Sequence, residues 1–380
     1  MRYGSNQSVE SKLESKIKNL LLMIPCCLLS FSLGLLPGCG PGGTALTIAY
    51  LLQKEDKKKE KHKWYIETVD WEGDTGWHPK LDIDKTNRPH IIYFSNSSGE
   101  LKYAYRQDQD MWKILIVDTN SMGSSSIALD SENKPHIAYI TQEGVKYAIY
   151  NGTSWIVNMV DPDTSLNDIS LALDKHNLPH ICYVDAQYNL RYFHFNGIEW
   201  ISEILDSDVG IFLDMKLDAD DHPHIVYYKR GTDEIKHVYG FPWKRETIDF
   251  SGRWPSLTID KNNNIHICYY DTNTQILKYG FFDSKSGWML EELSSFSDLY
   301  PEAHSIDVDK NGNPHIVVIH EGTLKYFVKK EPLWIYSVLT TGLGNTIEGI
   351  EIKLDEFNRS HIVYYNGNYL TGDLNYAFRK

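Results

Sequence analysis

The chain has 380 residues, a net charge of −13, and 25 Tyr, 13 Phe and 10 Trp. So acidic a chain argues against nucleic acid as a partner, and a composition rich in aromatic and turn residues suits many short strands better than long helices. The length fits two or three ordinary domains, or one repeat architecture that needs no single central core.

In chain order, Arg2, Lys12, Lys16 and Lys18 precede an apolar run from Asn19 to Leu36, closed by Leu36-Pro37-Gly38-Cys39. That is the layout of a signal peptide over residues 1–39. Its last four residues resemble the lipobox of bacterial lipoproteins, which implies lipidation at Cys39. The alternative is an uncleaved membrane helix, since eighteen apolar residues can just cross a bilayer. Either way, the remainder is expected at the bacterial cell envelope, facing the periplasm or the exterior. Residues 40–63 read as a flexible basic tether: Gly40-Pro41-Gly42-Gly43 opens it, and Lys54–Lys63 carries six lysines against three acids. The leader contributes +2 and the basic stretch +3, so residues 64–380 hold −18.

From residue 80 one unit recurs seven times: an apolar strand ending in Asp, a short turn, then His-Ile-x-Tyr or a close variant. Asp84 to His90, Asp130 to His136, Asp174 to His180, Asp218 to His224, Asp260 to His266, Asp309 to His315 and Asp355 to His361 share one step of six residues. Successive His residues lie 46, 44, 44, 42, 49 and 46 apart, the length of one four-stranded propeller blade. A third strand follows, as in Leu101-Lys102-Tyr103, and a fourth opens with Trp112, Trp155, Trp200, Trp243, Trp288 or Trp334. The seventh unit ends without its Trp strand. Trp64 to Asp70 matches Trp112 to Asp118 in spacing, so the N-terminal strand is predicted to complete the last blade and hide two open sheet edges. The expected fold is all-β, a seven-bladed β-propeller over 64–380.

At Asp309-Lys310-Asn311-Gly312-Asn313-Pro314-His315 the repeat resembles that of bacterial secreted seven-bladed propellers of the sialidase-like, BNR-related type. The resemblance implies the fold and leaves function open, because propellers host unrelated activities. The sialidase Asp-box and arginine triad are both missing from the sequence.

Seven Asp and seven His at fixed spacing read as parts of the blade, with the Asp accepting turn N–H groups and orienting the imidazole; no metal and no cofactor is expected. Cys182 and Cys268 occupy the same repeat position two blades apart and should stay unbridged. Specificity should lie on the face where loops differ from blade to blade. Trp71, Glu72, Asp74, Trp77 and His78 enter blade one, Asp161, Asp163 and Asp168 blade three, Arg253 and Trp254 blade five, Tyr300, Glu302 and His304 blade six, and Glu348 blade seven. Of these, Trp77, His78, Arg253, Trp254, Tyr300, Glu302 and His304 are the candidate ligand-binding residues, aromatic and charged side chains together suiting sugars or cations. The expected protein is a monomeric, non-catalytic, envelope-attached propeller that binds a glycan or a protein. The alternative is a polysaccharide-degrading lyase or hydrolase.

Overall fold

The computed structural model describes residues 63–379 apart from 109–110, 163–164, 284, 296–302, 345–348 and 369–370. The leader, Cys39 and the tether up to His62, with Asp163, Tyr300, Glu302 and Glu348, lie outside the described residues.

Seven antiparallel four-stranded sheets form the blades of a β-propeller. Their inner strands are Thr75–Ile83, Ser121–Leu129, Ser165–Leu173, Val209–Leu217, Arg253–Ile259, Ala303–Val308 and Ile350–Leu354. Each packs beside the next, and the seventh packs beside the first, which closes the ring. Trp64–Asp70 pairs with Gly372–Arg379 as the outer strand of blade seven, Trp64 opposite Arg379 and Tyr65 opposite Phe378. The second strands, such as Pro135–Thr141, are buried on both faces, as a sheet sandwiched between two others requires.

The repeat residues are the joints of this ring. In the turns, each Asp accepts the N–H groups two and four residues on; Asp130 takes those of Glu132 and Lys134, both at 2.8 Å. The His behind it bonds through Nδ1 to the tyrosine hydroxyl of the third strand, as His90 does to Tyr103 at 2.5 Å and His266 to Tyr279 at 2.7 Å. Blade four substitutes His237 for that tyrosine, 3.0 Å from His224. In blades one, two and seven the His Nε2 also lies 3.4–3.5 Å from the Asp, consistent with Nε2–H donating to the carboxylate and Nδ1 accepting from Tyr. The tyrosine of His-Ile-x-Tyr reaches across to the previous blade: Tyr93 donates to Asp70 at 2.8 Å, Tyr139 to Asp118 at 2.8 Å and Tyr227 to Asp206 at 2.6 Å. Each fourth-strand Trp packs edge-on against the third-strand ring of the preceding blade, from Trp112 on Tyr376 at 5.3 Å to Trp64 on Tyr326 at 5.1 Å. Where the preceding blade carries Glu three residues after its own Trp, the indole N–H is also bonded: Trp112 to Glu67, Trp243 to Glu203, Trp288 to Glu246 and Trp334 to Glu291. Before blade two that position is Leu115, and the Trp155 Nε1 has no partner among the described residues.

Changing His136 to Ala therefore strands the Tyr147 hydroxyl in the core. The expected cost is ~1–3 kcal/mol, read as a lower melting temperature with ligand binding at the opposite face unaltered.

Candidate functional site

Alternation along a strand sends every second side chain to the same side, so positions two, four and six before the turn Asp form three tiers around the central channel. The tier deepest toward the Asp turns includes Asp82, Lys216, Thr258, Asp307 and Lys353. The middle tier includes Lys80, Ser126, Ser170, Asp214, Ser305 and Glu351, and the upper tier His78, Ser124, Asp168, Phe212 and Trp254. Lys80 interacts electrostatically with Glu351, Asp168 and Asp214, which belong to blades seven, three and four. Convergence of the inner strands on one axis brings these charges within reach of one another.

Among the described residues, neighbouring inner strands do not pair as one sheet; channel side chains bridge them. Leu81 N–H donates to Glu351 at 2.7 Å, Leu129 N–H to Asp82 at 2.8 Å, Leu213 N–H to Asp168 at 2.8 Å, Leu257 N–H to Asp214 at 2.9 Å and Leu354 N–H to Asp307 at 2.6 Å. Ser126 and Ser170 accept in the same way from Leu171 and Met215. These carboxylates are thus committed to holding the ring.

The upper tier is the channel mouth, on the face of the variable loops. His78 and Trp254 occupy the same position in blades one and five, each followed by proline and each in the left-handed region, at φ 48° and 55°. Strained backbone of this kind persists only when surrounding structure imposes it, and it concentrates at functional sites. Phe212 stands edge-on to Trp254 at 6.1 Å and is 39% exposed. Tyr270 stacks behind Trp254 at 5.9 Å. His78 touches water, yet channel walls surround it. Burial, aided by the Lys80 ammonium, lowers its pKa to about 4, so the imidazole is neutral at pH 7. Burial pushes Asp168 up to about 6 against the pull of Lys80 and the Leu213 N–H. Burial would lower Lys80, but Glu351, Asp168 and Asp214 outweigh it and hold the ammonium above its ordinary value.

The other candidates lie elsewhere. Trp77 is in the inner strand of blade one rather than in the loop before it, and it faces blade seven: its indole N–H donates to Asp74 at 3.0 Å and its ring meets Tyr365 of that blade at 6.0 Å. Arg253, at the matching place in blade five, holds Asp233 through Nε at 3.1 Å and Nη2 at 3.0 Å. His304 is sealed between blades five and six against the backbone of Trp254 and Cys268, where burial takes its pKa to about 4. His78 and Trp254 reach the mouth, joined by Asp168, Phe212 and Lys80. Cys182 and Cys268 are buried free thiols. The cluster Asp218, Asp220 and His222 has metal-ligand proximity, but Asp218 already takes the Asp220 and His222 N–H groups and faces the His222 ring, as an ordinary turn of the repeat does.

The repeat histidines make stability pH-dependent. Burial lowers His180, His224 and His266 to about 4, below the unfolded value near 6.5. The unfolded chain then binds more protons between pH 6.5 and 4, so stability falls as pH drops through that window. Asp168, raised to about 6, works in the opposite sense as a single group. A melting temperature that declines steadily from pH 7 to pH 4 is the expected result, and a flat profile would contradict the buried-imidazole network.

No family model and no curated protein matches the chain. Among solved structures, it is similar to the BP39L lectin from Burkholderia pseudomallei at a TM-score of 0.59 and 10% identity, over 77% of this chain and 93% of that one. It is also similar to AofleA from Arthrobotrys oligospora, at 0.52 and 11%, over 74% and 90%. A catalytically inactive virginiamycin B lyase from Staphylococcus aureus with quinupristin matches at 0.52 and 8%, over 83% and 99%. At these identities the likeness establishes the β-propeller fold alone.

Proposed function

We propose that the chain is a carbohydrate-binding propeller whose ligand enters the channel mouth at His78, Phe212 and Trp254. The observation that carries this reading is the aromatic pair Phe212 and Trp254 on the rim, beside neutral and charged polar groups, an arrangement suited to a sugar ring's C–H face and hydroxyls. The acidic domain favours neutral glycans. The binding role is supported over catalysis by the bonding of Asp168, Asp214 and Glu351 to backbone N–H groups, and by Arg253 being held by Asp233, away from any carboxylate clamp of the sialidase kind. Trp254→Ala should weaken binding of a neutral glycan identified on an array by about tenfold, since aromatic stacking contributes ~0.5–1.5 kcal/mol beyond area. Unchanged affinity would remove the site from the mouth.

One observation favours the enzymatic alternative, a polysaccharide lyase or hydrolase: the neutral His78 imidazole shares Lys80 with the protonatable Asp168, a combination general acid–base chemistry can use. Product release from polysaccharide that stops on His78→Ala would establish it. The same reading places the domain in the bacterial envelope through a lipid on Cys39. Mass spectrometry of membrane fractions tests that part, and an unmodified N-terminus would refute it.

A further inference from the structure

We propose a second binding site, for a carboxylate-bearing pyranose, in the cleft where blade seven meets blade one on the face of the Asp-to-His turns. The proposal rests on the reading of the chain as a glycan-binding propeller, but it concerns the opposite face and a different ligand charge.

The cleft has a volume of ≈ 750 Å³, room for a disaccharide. Four arginines and one carboxylate line it: Arg88, Arg106, Arg359 and Arg379 against Glu67. Asp84, Asp355 and Glu67 offset three of these arginines, which leaves a local excess of one positive charge in a domain of net charge −18; at contact distance the oriented guanidinium groups act more strongly than the screened field of the remainder. Arg88 and Arg359 hold equivalent places, two residues before His90 and His361, and these are the only two of the seven repeats with arginine there. Ring closure makes those two blades neighbours.

Each of these two guanidinium groups is anchored through Nε to a carboxylate beneath it, Arg88 to Asp84 at 2.8 Å and Arg359 to Asp355 at 2.5 Å. Both carboxylates are fully buried, while the arginine side chains are 45% and 41% exposed. The carboxylates also take the turn N–H groups. The Nη groups of Arg88 and Arg359 have no hydrogen-bond partner among the described residues. Two guanidinium groups anchored through Nε and exposed in one cleft suit a planar carboxylate.

The lining is also aromatic. Tyr65 and Phe378 stack at 5.4 Å with 22° between their planes, and Tyr376 continues the stack at 5.5 Å from Phe378. Arg106, paired with Glu67, lies over Trp112 at 5.0 Å and Phe378 at 5.7 Å. An apolar wall beside anion-binding forks selects a ring that carries its charge on one edge, as a uronate does, over a bare inorganic anion.

Titration calorimetry of the full chain with a hexuronate disaccharide, the matching neutral disaccharide and inorganic sulfate tests this. The uronate should bind at least tenfold tighter than either comparison, and Arg88→Gln with Arg359→Gln should reduce its affinity at least tenfold. Trp254→Ala should leave uronate binding intact while weakening the neutral glycan at the mouth, so failure of one site is separable from failure of the other. Should the double variant fail to fold, phenylglyoxal labelling of the unaltered protein replaces it: the uronate should shield Arg88 and Arg359 from modification. Equal binding of sulfate or of the neutral sugar, full affinity in a folded double variant, or unshielded arginines would each overturn the proposal.

Discussion

A chain beginning at Thr75 should lose roughly 4–9 kcal/mol of stability and aggregate at concentrations where the intact protein stays soluble. Removing Trp64–Asp70 leaves the Gly372–Arg379 strand unpaired from Leu374 to Arg379. Fully burying one side chain such as Val69 is worth ~1.5–3 kcal/mol. The Trp64–Tyr326 and Tyr65–Phe378 ring pairs add ~0.5–1.5 kcal/mol each. The Tyr93 hydroxyl, buried against Asp70, loses its acceptor at a cost of ~1–3 kcal/mol, and Trp112 loses Glu67. Set against the 5–15 kcal/mol of a typical domain, the loss is large enough to open the ring, and an open sheet edge recruits other chains. Thermal melts and light scattering read both effects. A melting temperature equal to that of the intact chain would mean that the strand is dispensable.

Asp214→Ala should be the most damaging single substitution in the channel, because it leaves the Leu257 N–H and the Lys216 ammonium without their acceptor, at ~1–3 kcal/mol for each. This carboxylate accepts from Leu257 N–H at 2.9 Å, Met215 N–H at 2.8 Å, Ser170 Oγ at 3.3 Å and Lys216 Nζ at 2.6 Å. Burial alone would raise its pKa, but Lys216 and Lys80 prevail and hold it below the usual range. Its contribution is therefore present at neutral pH and fades as pH falls through the acidic folded value. Asp214→Asn keeps an acceptor for the Leu257 N–H and should cost clearly less than Ala. Denaturant titration of both variants separates the two contributions; equal and small losses would show that the bridge across blades four and five is not needed.

The blades and their closure were readable because each repeat residue has one structural partner. Every blade boundary follows from the Asp-to-His step, and Trp64 declares itself a seventh fourth-strand tryptophan by its spacing to Asp70. The candidate site was readable only in part. Trp77 and His78 are adjacent in sequence, as are Arg253 and Trp254, and the members of a pair diverge: Trp77 and Arg253 meet Tyr365 and Tyr228 of the preceding blade, whereas Trp254 lies against Tyr270 of its own blade. Counting back from the turn Asp separates them by parity: His78, Asp168, Phe212 and Trp254 have even offsets, and Trp77, Arg253 and His304 odd ones. Treating those positions as loop hid the alternation. The seam arginines carried a signal too, but Arg88 and Arg359 become neighbours only once the ring is closed.

Blade seven is assembled from the two ends of the sequence. Thr68 bonds to Asn375 across 307 residues, so the strand made first must wait for the strand made last. Blades one to six can form from continuous chain as it emerges, each by local hairpins, whereas the seventh depends on the most distant contact in the molecule. Contacts of such sequence separation form late, and until then Trp64–Asp70 is an unpaired, aromatic strand beside a growing stack with an open flank. The vulnerable interval in the life of this protein is therefore its biogenesis: a chaperone that shields the first strand until synthesis reaches Arg379 would raise the yield, whereas the finished ring needs no such protection.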